Sequence, residues 1–195
     1  MQNPCIKTLP DTTALILAGG AGRRVGGVDK GLLPFENMPL VEHVVRRLRG
    51  EVATLLISCN RNLDVYAALA DDIVTDQRPD FAGPLAGIEA AIPLVHSGFL
   101  LLAPCDTPRL PANLGARLLA ALSDDSSADI SYAHDGVRDQ YLCAMLRRQV
   151  LGTLSEALEG GTRAVRHWYG RHRCVPVDFT RQHSCFANIN QLDSV

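Results

Sequence analysis

Short apolar runs alternate with amphipathic stretches along this chain, and this alternation limits the folds that it can adopt. Seven runs have the length and composition of β-strands, namely residues 14–18, 52–58, 73–76, 99–103, 128–133, 141–146 and 175–179. Several are apolar throughout, which is typical of strands covered on both faces. Four stretches between them have helical periodicity, namely residues 38–50, 83–95, 111–123 and 149–161. Strands that alternate with helices predict an α/β fold with a mostly parallel central sheet flanked by helices.

Length, hydrophobicity and charge set further bounds. The chain has 195 residues, 47% of them hydrophobic, which is enough to bury a core as a single domain spanning residues 1–195. Its 19 Lys and Arg residues against 21 Asp and Glu residues give a formal net charge of -2. This balance provides no general attraction for nucleic acid or for an anionic membrane, so we expect neither as a partner. Any site for a polyanion must therefore be local.

The cysteines and the apolar segments bear on the compartment. Six cysteines are scattered along the chain, and none forms a C-x-x-C pair. This spacing is typical of reduced thiols in the cytoplasm rather than of a disulfide framework or a zinc site. No stretch approaches the roughly 18 consecutive apolar residues of a membrane span, and the first twelve residues lack the basic start and apolar run of a signal peptide. We therefore expect a cytoplasmic protein.

The stretch LAGGAGRRVGGVDK, residues 17–30, follows the first apolar run and combines five glycines with three cations. Glycines let backbone N–H groups converge on an anion, and the arginines and Lys30 supply full charges, so the loop is a candidate phosphate cradle. A tight turn with solvated arginines is the alternative interpretation. Two known phosphate loops do not fit, because Asp29 precedes Lys30 where a P-loop has glycine, and Val25 stands at the third glycine of G-x-G-x-x-G.

Polar residues follow several of the apolar runs, at the edge where a parallel sheet binds its ligands. Ser58 ends the second run, Asp76 ends the third, and Asp106 comes shortly after the fourth. Mg²⁺ is usually held by one or two carboxylates, with phosphate oxygens and water completing its coordination, so Asp106 is a candidate metal ligand. An aspartate that caps the turn before Pro108 is the alternative, and Asp76 taken alone has the pattern of an ordinary turn residue.

Two further features have two interpretations each. GPLAG, residues 83–87, could let a substrate approach the backbone closely, or could serve only to start and pack a helix. Trp168 and Tyr169 could stack on a flat ligand, although aromatic residues of a late helix more often belong to the core.

The stretch LAGGAGRRVGGVDKGLLPF resembles the N-terminal signature of the molybdenum cofactor guanylyltransferases of the MobA type. MPLVEHVVRRL, GPLAGI, PCDTP and FANIN continue the resemblance in the family's order, so it spans nearly the whole chain. It implies a Rossmann-like nucleotidyltransferase that transfers GMP from GTP to the terminal phosphate of molybdenum-loaded molybdopterin, forming the guanine dinucleotide cofactor and pyrophosphate. It also implies transient contacts with other cofactor-biosynthesis proteins and with molybdoenzyme chaperones.

The resemblance assigns roles to particular residues. Those that would bind GTP are Leu17, Ala18, Gly19, Gly20, Lys30, Ser58, Asp76 and Asp106, and Asp106 would also bind Mg²⁺. Those that would face molybdopterin are Gly83, Asn188 and Asn190. The expected catalytic residues are Arg24, Lys30 and Asp106. A phosphate monoester with a second pKa of about 6 needs no general base, so these groups would align two anions and stabilise charge on pyrophosphate.

Two alternatives stay open. One is cytidylyl transfer to molybdopterin, or nucleotidyl transfer to another phosphorylated small molecule, although LAGG in place of LAAG favours guanine by resemblance. The other is a nucleotide-binding protein without activity, but Lys30 and Asp106, whose loss would be its sign, are both present. The chain departs from the family pattern at Ser58, where Asn is frequent, and at Tyr141, where Pro is frequent.

Overall fold

The computed structural model describes residues 9–19, 29–78 and 83–189 of the chain. Within them lie the strands β1 (Thr12–Leu17), β2 (Pro34–Phe35), β3 (Met38–Pro39), β4 (Thr54–Ser58), β5 (Asp72–Val74), β6 (Phe99–Pro104), β7 (Ile130–His134), β8 (Asp139–Arg147) and β9 (Cys174–Asp178). The α-helices are α1 (Leu40–Leu48), α2 (Leu63–Ala67), α3 (Pro84–Ala91), α4 (Leu114–Asp124), α5 (Leu154–Glu159) and α6 (Val165–Tyr169). Segments of 3₁₀-helix cover Lys30–Leu32, Ile92–Leu94, Arg148–Thr153 and Thr180–Phe186.

Seven of these strands form one sheet in the order β5-β4-β1-β6-β8-β7-β9. β5, β4, β1 and β6 run parallel, β8 runs antiparallel to both of its neighbours, and β9 is parallel to β7. This confirms the expected α/β class with a mostly parallel sheet. The reversal at β8 follows from its connection, because residues 135–138 link β7 to β8 and are too few for the crossover that a parallel neighbour requires.

Both faces of the sheet are covered, and alternate residues of β1 belong to different core clusters. Ala14 and Ile16 pack in one cluster with residues of α1 and α4. Leu15 packs in the other with residues of α3, α5 and α6. A strand that is buried on both faces is apolar at successive positions, which explains the continuous run in the sequence. One sheet borders both clusters, and the single domain over residues 1–195 stays a prediction.

The predicted bounds of every strand in the main sheet agree with the structure within a few residues, whereas the predicted helices agree less closely. α2 was not predicted, because its five residues are too few to show a 3.6-residue repeat. The helix expected over 149–161 divides into the 3₁₀ segment Arg148–Thr153 and the shorter α5. Trp168 and Tyr169 lie in α6 and are buried, so they belong to the core. None of the helices in the described residues is long and apolar enough to cross a membrane.

Candidate active site

A cavity of about 810 Å³ opens at the carboxyl ends of β1, β4, β5 and β6. The cavity is also lined by Lys30, by residues at the start of α3, by the start of β8, by the segment that leads into α6, and by Asn188. Strand β8 contributes its first residues because it runs antiparallel to β6, so that its start lies at the edge where β6 ends. This edge is the one at which open parallel sheets bind their ligands.

The structure brings most of the predicted site residues together in this cavity. Its lining includes Leu17, Ala18, Gly19, Lys30, Ser58, Asp76, Gly83, Asp106 and Asn188. Three other predicted site residues lie outside the described residues, namely Gly20, Arg24 and Asn190. Their shared location supports a single site for these nine predicted residues, while the role of each residue stays a prediction.

The lining divides into two parts. We call the group at the ends of β1, β4 and β5 the first wall; it consists of Gly19, Ser58 and Asp76. We call the group from the start of β8 and the segment into α6 the second wall; it consists of Gln140, Tyr141, Arg163 and Arg166. Asp106 follows β6, which lies between β1 and β8 in the sheet, so this carboxylate stands between the two walls.

Lys30 and Asp106 form an ion pair in the cavity, although 76 positions separate them in the sequence. Lys30 Nζ donates to Asp106 Oδ2, and the two side chains are 25% and 14% exposed. A hydrogen bond between charged groups is stronger than one between neutral groups, and partial burial limits its screening by salt. The pair therefore places an ammonium and a carboxylate side by side, which are the two charges that a phosphate and its metal ion require.

A 3₁₀ turn carries Lys30, and Asp29 caps it. Asp29 is extended, and its Oδ1 accepts a hydrogen bond from the backbone N–H of Gly31 at 3.2 Å. A carboxylate before a helical turn satisfies an N–H group that has no partner within the turn. The sequence pattern used Asp29 only as evidence against a P-loop, and it did not predict that Asp29 caps this turn.

The C-terminal segment folds back beside Asp106. The backbone N–H of Ile189 donates to the carbonyl of Asp106 at 2.9 Å. Thr107 Oγ1 donates to Asn188 Oδ1 at 3.1 Å. These contacts join the PCDTP and FANIN motifs, and Asn188 lines the cavity from a segment without regular secondary structure.

Asn60 connects two residues of the first wall, Gly19 and Asp76, and was not among the predicted site residues. Its Oδ1 accepts from the backbone N–H of Asp76 at 2.9 Å, while its Nδ2 donates to Asp76 Oδ2 at 2.9 Å and to the carbonyl of Gly19 at 3.3 Å. The sequence signal was its place two residues after Ser58, at the end of β4. One amide side chain thus fixes the orientation of the Asp76 carboxylate.

Asp76 Oδ1 is buried and has no hydrogen-bond partner among the described residues. Burial raises the pKa of Asp76, and the hydrogen bond from Asn60 opposes this shift. A buried acceptor without a donor costs about 1–3 kcal/mol, so this oxygen requires an explanation. The first wall therefore contains one buried carboxylate oxygen that the described residues leave without a donor.

The two glycines of GPLAG have different surroundings, and each fits one of the two interpretations: close approach to a ligand, or helix start and packing. Gly83 precedes α3 with φ +77°, a conformation that favours glycine, and it lines the cavity. Gly87 lies inside α3 against Ser58, and a Cβ at this position would stand 2.3 Å from Ser58 Oγ. The first glycine therefore turns the chain at the cavity, and the second lets α3 approach the end of β4.

Two aspartates hold residues of the second wall. Asp135 Oδ2 accepts from Gln140 Nε2 at 2.6 Å, and Asp139 Oδ2 accepts from the Tyr141 hydroxyl at 2.9 Å. Although burial alone would raise the pKa of Asp135, hydrogen bonds from two backbone N–H groups and from Gln140 lower it to about 2. The hydrogen bond to Asp139, together with burial, raises the pKa of Tyr141 to about 12. The Tyr141 hydroxyl is thus committed to Asp139.

Comparison with known sequences agrees with this geometry. The profile of the MobA-like NTP transferase domain matches residues 14–177. A molybdenum cofactor guanylyltransferase from Shewanella loihica is 37% identical over 181 residues, which are 93% of this chain and 92% of the relative.

Comparison with solved structures shows the same fold. The molybdopterin-guanine dinucleotide biosynthesis protein A from Archaeoglobus fulgidus superposes with a TM-score of 0.74 over 93% of each chain, at 20% sequence identity. A 4-diphosphocytidyl-2C-methyl-D-erythritol synthase from Anaerococcus prevotii gives a TM-score of 0.71 over 94% of this chain and 92% of its own, at 8% identity. At these identities the likeness concerns the fold alone, and it does not distinguish between nucleotides.

Proposed function

Because the chain belongs to the MobA-like NTP transferase family, we propose that it transfers GMP from GTP to the terminal phosphate of molybdenum-loaded molybdopterin. The observation that carries this proposal is the cavity in which the Lys30–Asp106 ion pair lies between the two walls. The first wall binds the nucleotide, and the second wall binds the acceptor. Pyrophosphate is the leaving group.

The reaction is a displacement at phosphorus. An oxygen of the acceptor's terminal phosphate forms a bond to the α-phosphorus of GTP, and the bond from that phosphorus to the bridging oxygen of the β-phosphate breaks. The bridging oxygen leaves with the electron pair. A phosphate monoester has a second pKa of about 6 and is largely ionised at neutral pH, so no general base is required. The protein must instead align two anions and stabilise the charge that builds on pyrophosphate.

Lys30 and Asp106 perform the electrostatic part of this task. The Lys30 ammonium binds the phosphates and stabilises the charge on the leaving group. The partial burial of the pair strengthens this attraction relative to a fully exposed lysine. Arg24 is proposed to add a second cation, although it lies outside the described residues.

The residues present fit a magnesium ion that is held mainly by its substrate. No group of three or more His, Cys, Asp or Glu side chains stands ready to hold a metal within the described parts of the chain. Asp106 supplies one carboxylate at a strand end, and Mg²⁺ is commonly held by one or two carboxylates, phosphate oxygens and water. Asp106 would hold the ion, which would neutralise charge on the phosphates.

Asp76 supports guanine as the base. Its buried Oδ1 is an acceptor without a partner among the described residues, and its other oxygen is bound by Asn60. The guanine edge offers two neighbouring donors, N1–H and the exocyclic N2 amino group, whereas cytosine offers one amino group and no ring N–H. A carboxylate fixed in this way favours guanine, with Leu17, Ala18, Gly19 and Ser58 completing the nucleotide site.

The remaining assignments follow from the same division. Gly83 and Asn188 line the cavity and are proposed to contact the acceptor together with Asn190, and Gly20 is proposed to contact the nucleotide; Gly20 and Asn190 lie outside the described residues. Residence in the cytoplasm and contacts with other cofactor-biosynthesis proteins stay predictions.

A four-nucleotide assay tests the proposal. Purified protein, molybdopterin and Mg²⁺ are incubated with GTP, CTP, ATP or UTP, and pyrophosphate release is followed, with Asp106→Ala as the control for contaminating activity. We expect turnover with GTP. Turnover with CTP but not GTP would instead support cytidylyl transfer, and no pyrophosphate with any nucleotide would contradict the proposal.

A further inference from the structure

Lys30 is one of two lysines in the chain, the other being Lys7, whereas the remaining 17 of the 19 basic residues are arginines. A lysine ammonium is a compact charge on a flexible stem with four carbons, whereas an arginine guanidinium is a rigid, planar fork. Because the stem itself is flexible, the position and direction of the Lys30 backbone decide which groups the ammonium can reach. The residues on both sides of Lys30 show how that direction is fixed.

Asp29 is tied to helix α2 as well as to its own turn. Its Oδ1 accepts from the Tyr66 hydroxyl at 2.6 Å and from the backbone N–H of Gly31 at 3.2 Å. Its Oδ2 accepts from Asn62 Nδ2 at 2.9 Å. The carboxylate thus binds three donors, two of which come from outside the turn. The residue that precedes Lys30 is held by groups more than thirty positions away in the sequence.

The Tyr66 hydroxyl also fixes the residue that follows Lys30. Tyr66 is fully buried in the core cluster that contains Cys105, and it does not line the cavity. A Cβ on Gly31 would lie 2.4 Å from the Tyr66 hydroxyl oxygen, so glycine is required there for the approach. Burial and the hydrogen bond to Asp29 raise the pKa of Tyr66, so the hydroxyl keeps its proton and donates at any working pH.

We infer that Tyr66 and Asp29 are positioning residues that fix the direction from which Lys30 reaches Asp106 and the phosphates of the nucleotide. This inference rests on the proposed function of Lys30. One buried hydroxyl binds the side chain of the preceding residue and packs against the backbone of the following one. The main chain at Lys30 is thereby held in place by the core rather than by the ligand.

Two measurements on Tyr66→Phe test the inference. We expect kcat at saturating GTP to fall by about tenfold to a hundredfold, with a smaller change in KM, because a displacement of about 1 Å can cost two orders of magnitude in rate. We also expect Lys30 to react several-fold faster with trinitrobenzenesulfonate, as read by peptide mass spectrometry, because its ion pair loosens. An unchanged labelling rate together with an unchanged kcat would overturn the inference.

Ser131→Ala is the matched control. It also deletes one buried hydroxyl, which donates to the carbonyl of Leu118 at 2.7 Å and does not line the cavity. We expect it to lower Tm without changing kcat or the labelling of Lys30. If Ser131→Ala changes both as Tyr66→Phe does, the effect is general loosening and the inference is wrong. Labelling needs no substrate, so failure of guanylyl transfer in the wild type would count against the proposed function and not against this inference.

A double variant tests the geometry without any assay of activity. Gly31→Ala should lower Tm strongly, because its methyl group meets the Tyr66 hydroxyl. In the Tyr66→Phe background the same substitution should cost much less, since the next atoms, Tyr66 Cζ and Cys105 Sγ, lie at 3.4 and 3.5 Å. Equal losses of Tm from Gly31→Ala in the two backgrounds would show that the hydroxyl does not abut residue 31, and would overturn the inference.

Discussion

The two walls of the cavity are built in different ways. In the first wall, Asn60 joins Asp76 to the carbonyl of Gly19, so the polar groups bind one another, and one buried carboxylate oxygen has no donor among the described residues. In the second wall, aspartates outside the cavity hold Gln140 and Tyr141. A wall with one unsatisfied acceptor selects by hydrogen bonding, because a ligand without the donor leaves it unpaired. The second wall contains Arg163 and Arg166 beside Tyr141, and the attraction of charge and the contact of a ring discriminate less between ligands.

The largest effect is expected between the walls, at the ion pair that serves both. Lys30→Ala or Asp106→Ala should lower kcat by about a hundredfold to a thousandfold, since each removes charge stabilisation in the transition state. The free energy of unfolding should change by only about 1–2 kcal/mol. Parallel measurement of pyrophosphate release and of urea unfolding separates the effect on catalysis from the effect on stability.

The control for this prediction is Arg109→Ala. It breaks the ion pair with Glu36, whose N···O distance is 2.7 Å and whose side chains are 64% and 58% exposed. Exposed pairs of this kind contribute little, so neither rate nor stability should change much. Near-normal turnover in Lys30→Ala or Asp106→Ala would contradict the assigned role of that residue.

Asp76→Ala sharpens the account of the first wall. It should raise KM for GTP by about tenfold to a hundredfold, the value of a hydrogen bond to a charged group. Wild-type protein should prefer GTP to inosine triphosphate, which lacks the N2 amino group, and the variant should lose most of that preference. Asp72→Ala, which removes an exposed carboxylate of β5 outside the cavity, is the control. A GTP preference that survives in Asp76→Ala would place base recognition elsewhere.

Tyr141→Ala addresses the second wall and should have a smaller effect. It should raise KM for molybdopterin by about twofold to tenfold, the range of an aromatic contact, and leave KM for GTP unchanged. Tyr141→Phe should behave like the wild type, because the hydroxyl donates to Asp139 rather than to a ligand. If Tyr141→Phe is as impaired as Tyr141→Ala, the hydroxyl itself serves the acceptor.

The walls also differ in how far the sequence predicted them. Ser58 and Asp76 stand at the ends of apolar runs, and the rule that ligands bind at the carboxyl ends of parallel strands drew attention to them, while the family resemblance assigned them to the nucleotide. Arg163 and Arg166 follow no strand, and they reach the cavity because α6 packs on the sheet beside β8. Short-range patterns carry no information on such packing, so the role of these arginines could not be predicted.

The same limit applies to the partners of the predicted residues. The sequence identified Lys30 and Asp76 as site residues but not the residues that bind next to them. Tyr66 lies in a helix too short for its periodicity to be recognised. Asn60 orients Asp76 through hydrogen bonds across two strand ends, which the sequence does not show. The positions of the strands and the mostly parallel sheet follow from local patterns and simple connection rules. The choice of which buried polar group binds which depends on distances that only the folded chain sets.

A second buried carboxylate, away from both walls, shows what distinguishes Asp76. Glu51 is 6% exposed and lies beside α4, where a Cβ on Gly115 would stand 3.1 Å from its Oε2. Burial raises the pKa of Glu51 to about 7, and the charge of Arg47 only partly opposes it. Because the pKa in the folded state lies above its ordinary value of 4.5, the stability that this group contributes is present below pH 4.5 and is lost as pH rises through about 7.

Glu51→Gln should therefore raise Tm by about 2–4 °C at pH 8, as expected for roughly 1 kcal/mol in a chain of this size. At pH 4, where the glutamate is protonated in both states, Tm should not differ from that of the wild type. Thermal unfolding at the two pH values checks this. An equal gain at both would mean that the glutamine packs better, and that removal of a desolvated charge is not the cause. Asp76→Asn should also lower the affinity for GTP, which Glu51→Gln should leave unchanged, because Asp76 lines the cavity and Glu51 does not.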